Sequence, residues 1–428
     1  MSKSERCAFW LSFAFVFLTL AAAAETRIEV GLLGVGPRRT EMRPDAENWI
    51  LGEIRSFQKA NTDIVVDVLE VADRREHQPI EQCPSLPRGV LGICSESGYE
   101  VNYLVNRQEL VPIDDFLPDP QFSKEDFYAN LWEPVTYKGK IWGVPWATTA
   151  MVLQYDEKLF REGGFAGPPE MWDEFMEIAQ KLTKDTDGDG QIDQAGCEPV
   201  DQWTAQYLTG HLAMQMGVRL YTDQGFAPYD QKMENVFQLV RKIVGFTESL
   251  SAGKSGLKYA MGFRFTRGAP LLEPAPNTRL AFLPTCGEEV LANFDTLYLA
   301  IRRGAPEQEQ AAWRLVKWIS RSDVAMPRVL GGYPARKDFI NREGFKRLAA
   351  RWYPNLDLLW RANERLVDFG PCPMMGRYAA MEQLANSIGF GALTGSEAKE
   401  AWDAAAKQLN EAAKLVGPGK VRNYELFK

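Results

Sequence analysis

Apolar and polar positions follow two rhythms along this chain. "RIEVGLLGVG" (27–36) is a short apolar run that ends in a glycine turn. "DAENWILGEIRSFQKA" (45–60) places Trp49, Ile50, Ile54 and Phe57 at helical spacing, and "DIVVDVLEV" (63–71) is a second apolar run. Strand, helix, strand predicts a parallel α/β unit. The glycines of "GLLGVG" lack the G-x-G-x-x-G spacing of a dinucleotide fingerprint, so they read as a turn that lets backbone approach a cleft.

Further along, "YKGK" (137–140) is a tight turn, "IWGVPW" (141–146) an aromatic strand interrupted by Pro145, and "MVLQY" (151–155) another strand. "DEKLFREGG" (156–164) reads as a helix with a glycine stop. "PPEMWDEFMEIAQKLTK" (168–184) reads as a proline-started helix with Met171, Trp172, Phe175, Ile178, Ala179 and Leu182 on its apolar face. Two strong helices follow, "EQEQAAWRLVKWIS" (307–320) and "GSEAKEAWDAAAKQLNEAAKLV" (395–416), the second capped by Ser396. Between them "LGGYPARKDF" (330–339) is a glycine and proline break.

The first 24 residues differ in kind. Lys3 and Arg6 precede the thirteen-residue apolar run "AFWLSFAFVFLTL", and "AAAA" offers small residues for cleavage after Ala24. This is the pattern of a secretory signal peptide; the run is too short for a span of about 20 residues. Cys7 stands before the run rather than after it, so a free periplasmic protein is expected rather than a lipid-anchored one. Removing the leader takes the formal charge from −8 to −9, which argues against a nucleic-acid partner. The 428 residues allow two lobes, each with its own core. Export permits disulfides among Cys83, Cys94, Cys197, Cys286 and Cys372; five is odd, and the reading favours Cys83 with Cys94 over a short loop, with buried free thiols as the alternative.

"DTDGDGQIDQAG" (185–196) follows the order of a calcium loop. Asp185, Asp187 and Asp189 take positions one, three and five, Gly190 the turn, Gln191 a backbone carbonyl at seven, and Asp193 position nine. Position twelve is Gly196 where a bidentate Glu is required, and Glu198 is the nearby carboxylate that would complete the set. The expectation is a structural calcium or an ordinary Asp- and Gly-rich turn, with no cofactor required for function.

Taken in order, "VGLLGVG", "ELVPIDDFL", "GKIWGVPW", "LQYDEKLFREGG", "PPEMWDEFMEIAQKLTKDTDGDGQID", "AAWRLVKWIS", "GGYPARKDF" and "GSEAKEAWDAAAKQLNEA" resemble the extracellular solute-binding proteins of ABC importers, the large sugar-binding family that includes maltose-binding protein. The resemblance spans nearly the whole chain after the leader. It implies an α/β protein of two lobes joined by three crossings, near Ala147–Val152, Glu289–Tyr298 and Gly332–Lys337, with the ligand cleft between the lobes. The N-terminal lobe is then 25–149 plus 290–332, and the C-terminal lobe 150–289 plus 333–428. It also implies a small-molecule carbohydrate as ligand, an ABC permease in the inner membrane as partner, and a monomer. "YAMGFRFTRGAPLLEPAPNTRLAFLPTCGEEV" and "NFDT" depart from the family's pattern beside the expected pocket.

Sugar recognition combines flat aromatic faces with polar side chains that satisfy buried hydroxyls. The resemblance places Trp146, Trp203, Tyr333 and Tyr378 as stacking aromatics, and Asp295, Glu96 and Tyr99 on segments that line the cleft. Arg38 and Arg39 after the first glycine turn, and Arg264 in the divergent stretch, are of the type that grips a carboxylate or phosphate, or else solvated surface charges. The rival class is a secreted carbohydrate-active enzyme. Against it, only His77 and His211 offer neutral-pH bases, and neither a G-x-S-x-G elbow nor an H-E-x-x-H pair is present. A periplasmic sensor delivering the same solute signal to a receptor is the third reading.

Overall fold

The protein is described from a computed structural model, over residues 25–33, 44–69, 86–95, 99–222, 225–251, 256–265, 277–287, 291–321, 333–338, 358, 361–362, 364, 366–367 and 384–415. The first unit is the predicted one: β1 (Thr26–Leu33), α1 (Pro44–Ala60) and β2 (Ile64–Val68), the two strands parallel and in register from Thr26↔Ile64 to Val30↔Val68. β3 (Gly89–Ser95) adds in parallel on the other side of β1, and helix α2 (Tyr99–Asn106) follows it. The "YKGK" turn forms a hairpin between Thr136–Tyr137 and Lys140–Ile141, with Lys138 and Gly139 both at positive φ, which the tight two-residue turn demands.

The next strand differs from the expectation. "IWGVPW" and "MVLQY" are not two strands: a single strand, β4, runs thirteen residues over Val144–Asp156, and its first ten are all buried. Pro145 has no amide proton to give the ladder, and its partner Tyr298 lies at a register shift, so the pairing steps past the proline instead of ending there.

β4 is followed by α3 (Glu157–Glu162), whose first turn is capped by the Asp156 carboxylate accepting from the amides of Lys158 and Leu159. α4 (Trp172–Leu182) begins after Pro168 and Pro169 rather than on them. α5 (Gln202–Gln215), capped by Asp201, and α6 (Gln231–Ser251) complete the helices of this region. Strands β5 (Met261–Phe265) and β6 (Thr278–Ala281) return antiparallel along the far half of β4. β7 (Leu291–Ile301) pairs with β3 on one side and the near half of β4 on the other. Then come α7 (Pro306–Ser320), β8 (Tyr333–Pro334) against β4, β9 (Leu366–Val367) against the start of β7, and α8 (Gly395–Leu415). α8 starts one residue before Ser396, so the expected cap lies inside the helix. The spatial order is β5-β4-β7-β3-β1-β2.

Two buried apolar clusters sit along this sheet. One holds Ile28, Phe57, Leu91, Val144, Ala150, Tyr298, Trp313 and Ala335; the other holds Met151, Leu153, Phe175, Leu212, Phe237 and Trp402. The change from one to the other falls between Ala150 and Met151, inside β4. Ala335 and Ala362, counted with the C-terminal lobe from the sequence, pack in the first cluster. Among the described residues no helix is long and apolar enough to cross a membrane.

α8 is held to the second cluster by Trp402, fully buried against Phe226 and Phe237, with its indole N–H donating to the Ala227 carbonyl at 2.7 Å. Trp402→Ala is expected to lower stability by about 3–5 kcal/mol through the cavity left behind, read as a lower midpoint in urea.

Candidate functional site

In an open α/β sheet, ligands bind beyond the carboxyl ends of the parallel strands, where neighbouring connections part. In the first lobe that edge is the end of β3, the middle of β4 and the start of the antiparallel β7. The register places Ser95, Thr296, Thr148 and Tyr333 side by side on four adjacent strands. Thr148 and Thr296 are buried, with their hydroxyls 3.4 Å apart. One step toward the second lobe, Asp295 pairs with Thr149 and Asn293 with Ala150, and a register shift lies between Asn293 and Asp295. Such an irregularity bends a strand and strengthens its twist. The bend sits at the point where β4 passes from one core to the other.

An aromatic wall is built on α5 and β5. Trp203, in the first turn of α5, is 41% exposed, an uncommon state for an indole. Its ring stands edge-on to Tyr207, centroids 5.1 Å apart, and Tyr207 stands edge-on to Phe265 at 4.8 Å. Phe265 pairs with Met151, the first β4 residue of the second core, and α5 itself packs against β7. The aromatic row therefore leads from solvent to the crossing. Sequence reading found Trp203 but missed Tyr207 and Phe265; the i, i+4 spacing of Trp203 and Tyr207 was the available signal.

The other site expectations fall as follows. Asp295 and Tyr333 are brought beside Thr149 and Thr148 by backbone pairing. Trp146 is nearby along β4 but is only 2% exposed, in the first-lobe core, which sets it apart from an exposed stacking platform. Its indole N–H finds no hydrogen-bond partner among the described residues. Arg264 is half-buried in a two-pronged ion pair with Glu198, one prong at 2.6 Å and the other from Nη1 to Oε2. The pair neutralises the cation that the sequence offered for an anionic ligand, and it occupies the carboxylate offered to the acidic loop. Tyr99 opens α2. Glu96, Arg38, Arg39 and Tyr378 lie outside the described residues, as do His77, Cys83 and Cys372.

Behind the aromatic wall, the far end of α5 carries a buried polar hub. The Gln215 amide nitrogen donates to the Pro284 carbonyl at 3.1 Å and lies 2.9 Å from His211 Nε2. Its oxygen accepts from the Trp172 indole, from the Cys286 amide at 3.2 Å and from the Cys286 thiol. This fastens the segment leading into β7 to the second lobe. Burial alone pushes the His211 imidazole down to about 3, so at neutral pH it is an uncharged core residue and no base for the cleft. Cys197 and Cys286 are free thiols, both pushed up by burial, Cys286 to about 11.

At the acidic loop, Asp185, Asp187 and Asp193 bring one carboxylate oxygen each within 4.8 Å of one another. Asp185 also accepts from the amides of Gly188 and Gly190, and Asp193 from the amide and hydroxyl of Thr186. Asp189 accepts from the Gln191 amide. Position twelve has no room for a ligand side chain: a Cβ on Gly196 would stand 1.9 Å from the Ala179 carbonyl oxygen. The donor set thus fits part of a calcium shell, at the end of α4.

Two buried cores share the strand β4, with the polar row at the crossing and the aromatic row leading to it. The chain belongs to the family of bacterial extracellular solute-binding proteins, whose model matches residues 54–351. The solved structure of the sugar-binding protein MalE from Xanthomonas citri is similar over 92% of this chain and 100% of its own, at 15% identity and TM-score 0.70. An ABC transporter solute-binding protein from Thermotoga lettingae, bound with alpha-D-tagatose, is similar over 90% and 99%, at 20% identity and TM-score 0.64. A Brucella abortus (strain 2308) relative with a provisional binding-protein name is 34% identical over 71 residues, and the match spans 17% of each chain.

His211 also sets a pH dependence. Its folded value lies below the ordinary 6.5, so the unfolded chain takes up the proton first, and stability falls as pH drops from about 6.5 toward 3. Carboxylates held low by their partners, such as Asp63 and Asp119, add stability that is present above their ordinary 3.8 and is lost only as pH falls below it, so they do not shape the slope between pH 7 and 5. The urea midpoint is expected to decline between pH 7 and 5, and His211→Asn to flatten that slope.

Proposed function

We propose that this protein captures a neutral sugar or oligosaccharide between its lobes, closes on it and delivers it to an ABC permease. The observation that carries the reading is the row Trp203, Tyr207 and Phe265, running from solvent to the strand crossing. An exposed indole offers the flat apolar surface that suits a sugar's C–H face, and the threonine row offers small hydroxyls at the hinge. Arg264, the cation that β5 places beside that wall, is already paired with Glu198, which favours a neutral solute over an acidic one. Closure buries contacts from both lobes at once, so ligand shifts the population to the closed form, the shape a permease distinguishes from the open one.

Export with cleavage after Ala24 belongs to the same reading, as does action as a monomer. Native mass spectrometry of freshly purified protein is expected to show a co-purifying neutral saccharide. Calorimetric titration with D-tagatose, maltose and mannobiose is expected to give one-to-one binding without product. A co-purifying acid or phosphate ester, or turnover of the added sugar, overturns the reading.

The acidic loop is proposed as a structural calcium site built on Asp185, Asp187 and Asp193. Three carboxylates converging within 4.8 Å repel one another at neutral pH, and a cation relieves that repulsion while fastening the end of α4 to the next segment. Calcium at millimolar concentration is expected to raise the melting temperature over that in chelator, and Asp187→Asn to remove the rise. No shift with calcium counts against the site.

A further inference from the structure

We propose that Gln206 is a solute-binding residue, its buried amide oxygen accepting a hydrogen bond from a hydroxyl of the sugar held against α5. The proposal rests on the sugar-binding reading and narrows it to one atom.

Gln206 is 4% exposed, and its Oε1 has no hydrogen-bond partner among the described residues. A buried amide oxygen left unpaired is costly, and native proteins keep few of them. The other buried polar side chains toward the end of the same helix are all engaged. The Thr209 hydroxyl donates to the Ala205 carbonyl at 2.8 Å, and His211 and Gln215 pair with each other. Gln206 is the exception, and it sits in the turn that carries the aromatic wall.

Positions 203, 206 and 207 lie on one face of a helix, and the Cα–Cβ bonds of a helix tilt toward its N-terminus. The Gln206 side chain therefore leaves the backbone toward the turn that bears Trp203. Beside an exposed indole with a second ring packed behind it, a buried acceptor with no partner makes a site with two demands. It needs an apolar face over the indole, and a donor beside that face to satisfy the amide oxygen. A pyranose or furanose ring supplies both, its C–H face for the indole and an adjacent hydroxyl for the acceptor. A purely apolar ligand would leave the oxygen unpaired, so the site discriminates against it.

The sign of the effects makes the assignment testable. Replacing Gln206 by an apolar residue of similar length removes an unpaired buried acceptor from the free protein and a hydrogen-bonded one from the complex. Gln206→Leu and Gln206→Met are titrated with whichever of D-tagatose, maltose and mannobiose binds the wild-type protein tightest, alongside ligand-free melting curves. The expected result is a loss of affinity of about tenfold or more, with a ligand-free melting temperature equal to or above wild type. Affinity within twofold of wild type in both variants means that an internal water alone satisfies Gln206, and overturns the proposal. Loss of the ligand-free fold in both variants makes Gln206 a structural partner and overturns it as well. A wild-type protein that binds no sugar overturns the sugar reading itself, whereas sugar binding that ignores both substitutions overturns only the role of Gln206.

Discussion

Ten consecutive buried residues in β4 are the constraint on which the rest of the molecule depends. A strand with one wet face alternates; a strand covered on both faces does not. The first ten residues of β4 are covered because they pack into one core over the near half, beside β7, and into the other over the far half, beside β5 and β6. The two cores are therefore joined through one continuous strand. The register shift opposite Thr149 and Ala150 introduces irregularity next to the threonine row, so the ligand-facing edge and the point of bending coincide.

The other crossing segments are fastened to one lobe each. Tyr333–Pro334 pairs with β4, the Ala335 amide donates to the Trp146 carbonyl, and the Arg336 guanidinium joins Asp126 at 2.9 Å and Asp338 at 2.8 Å. The strand pairing, the Ala335 bond and the Arg336–Asp126 pair hold the third crossing to the first lobe, and Asp338 steadies the Arg336 side chain from within the segment. The segment before β7 is held to the second lobe instead, through Gln215 and through the Thr285 amide on the Glu170 carbonyl.

Much of this was legible in the sequence because local pattern and tertiary environment agree. The first β-α-β unit, the "YKGK" turn, α4 and α7 are all written in periodicity and turn chemistry. What periodicity cannot show is where a strand changes core: Val144–Leu153 reads as apolar on both sides of Ala150, and Pro145 looked like a break until β7 was seen to shift register there. The site was half legible. Trp203 stands out by type and place, but Trp146 is of the same type and is buried in the core, since burial depends on which neighbours the fold supplies. Arg264 and Glu198 are 66 residues apart, and only β5 beside the loop after residue 195 brings them into contact. The Gly196 contact with Ala179 is invisible in a calcium-loop template, because it comes from packing against α4.

The shared strand also governs the order in which the chain can become native. The first core contains Ile28 and Leu91 but also Tyr298, Trp313 and Leu315, which emerge only after most of the second core, from Met151 to Leu283, has been made. No contiguous N-terminal piece can complete its own interior, and the edge of β3 not paired with β1 waits for β7, some two hundred residues later. Pairings of that sequence separation fold slowly. The arrangement keeps early segments unfinished until α7 is available, a delay that suits a polypeptide threaded through a membrane before it folds.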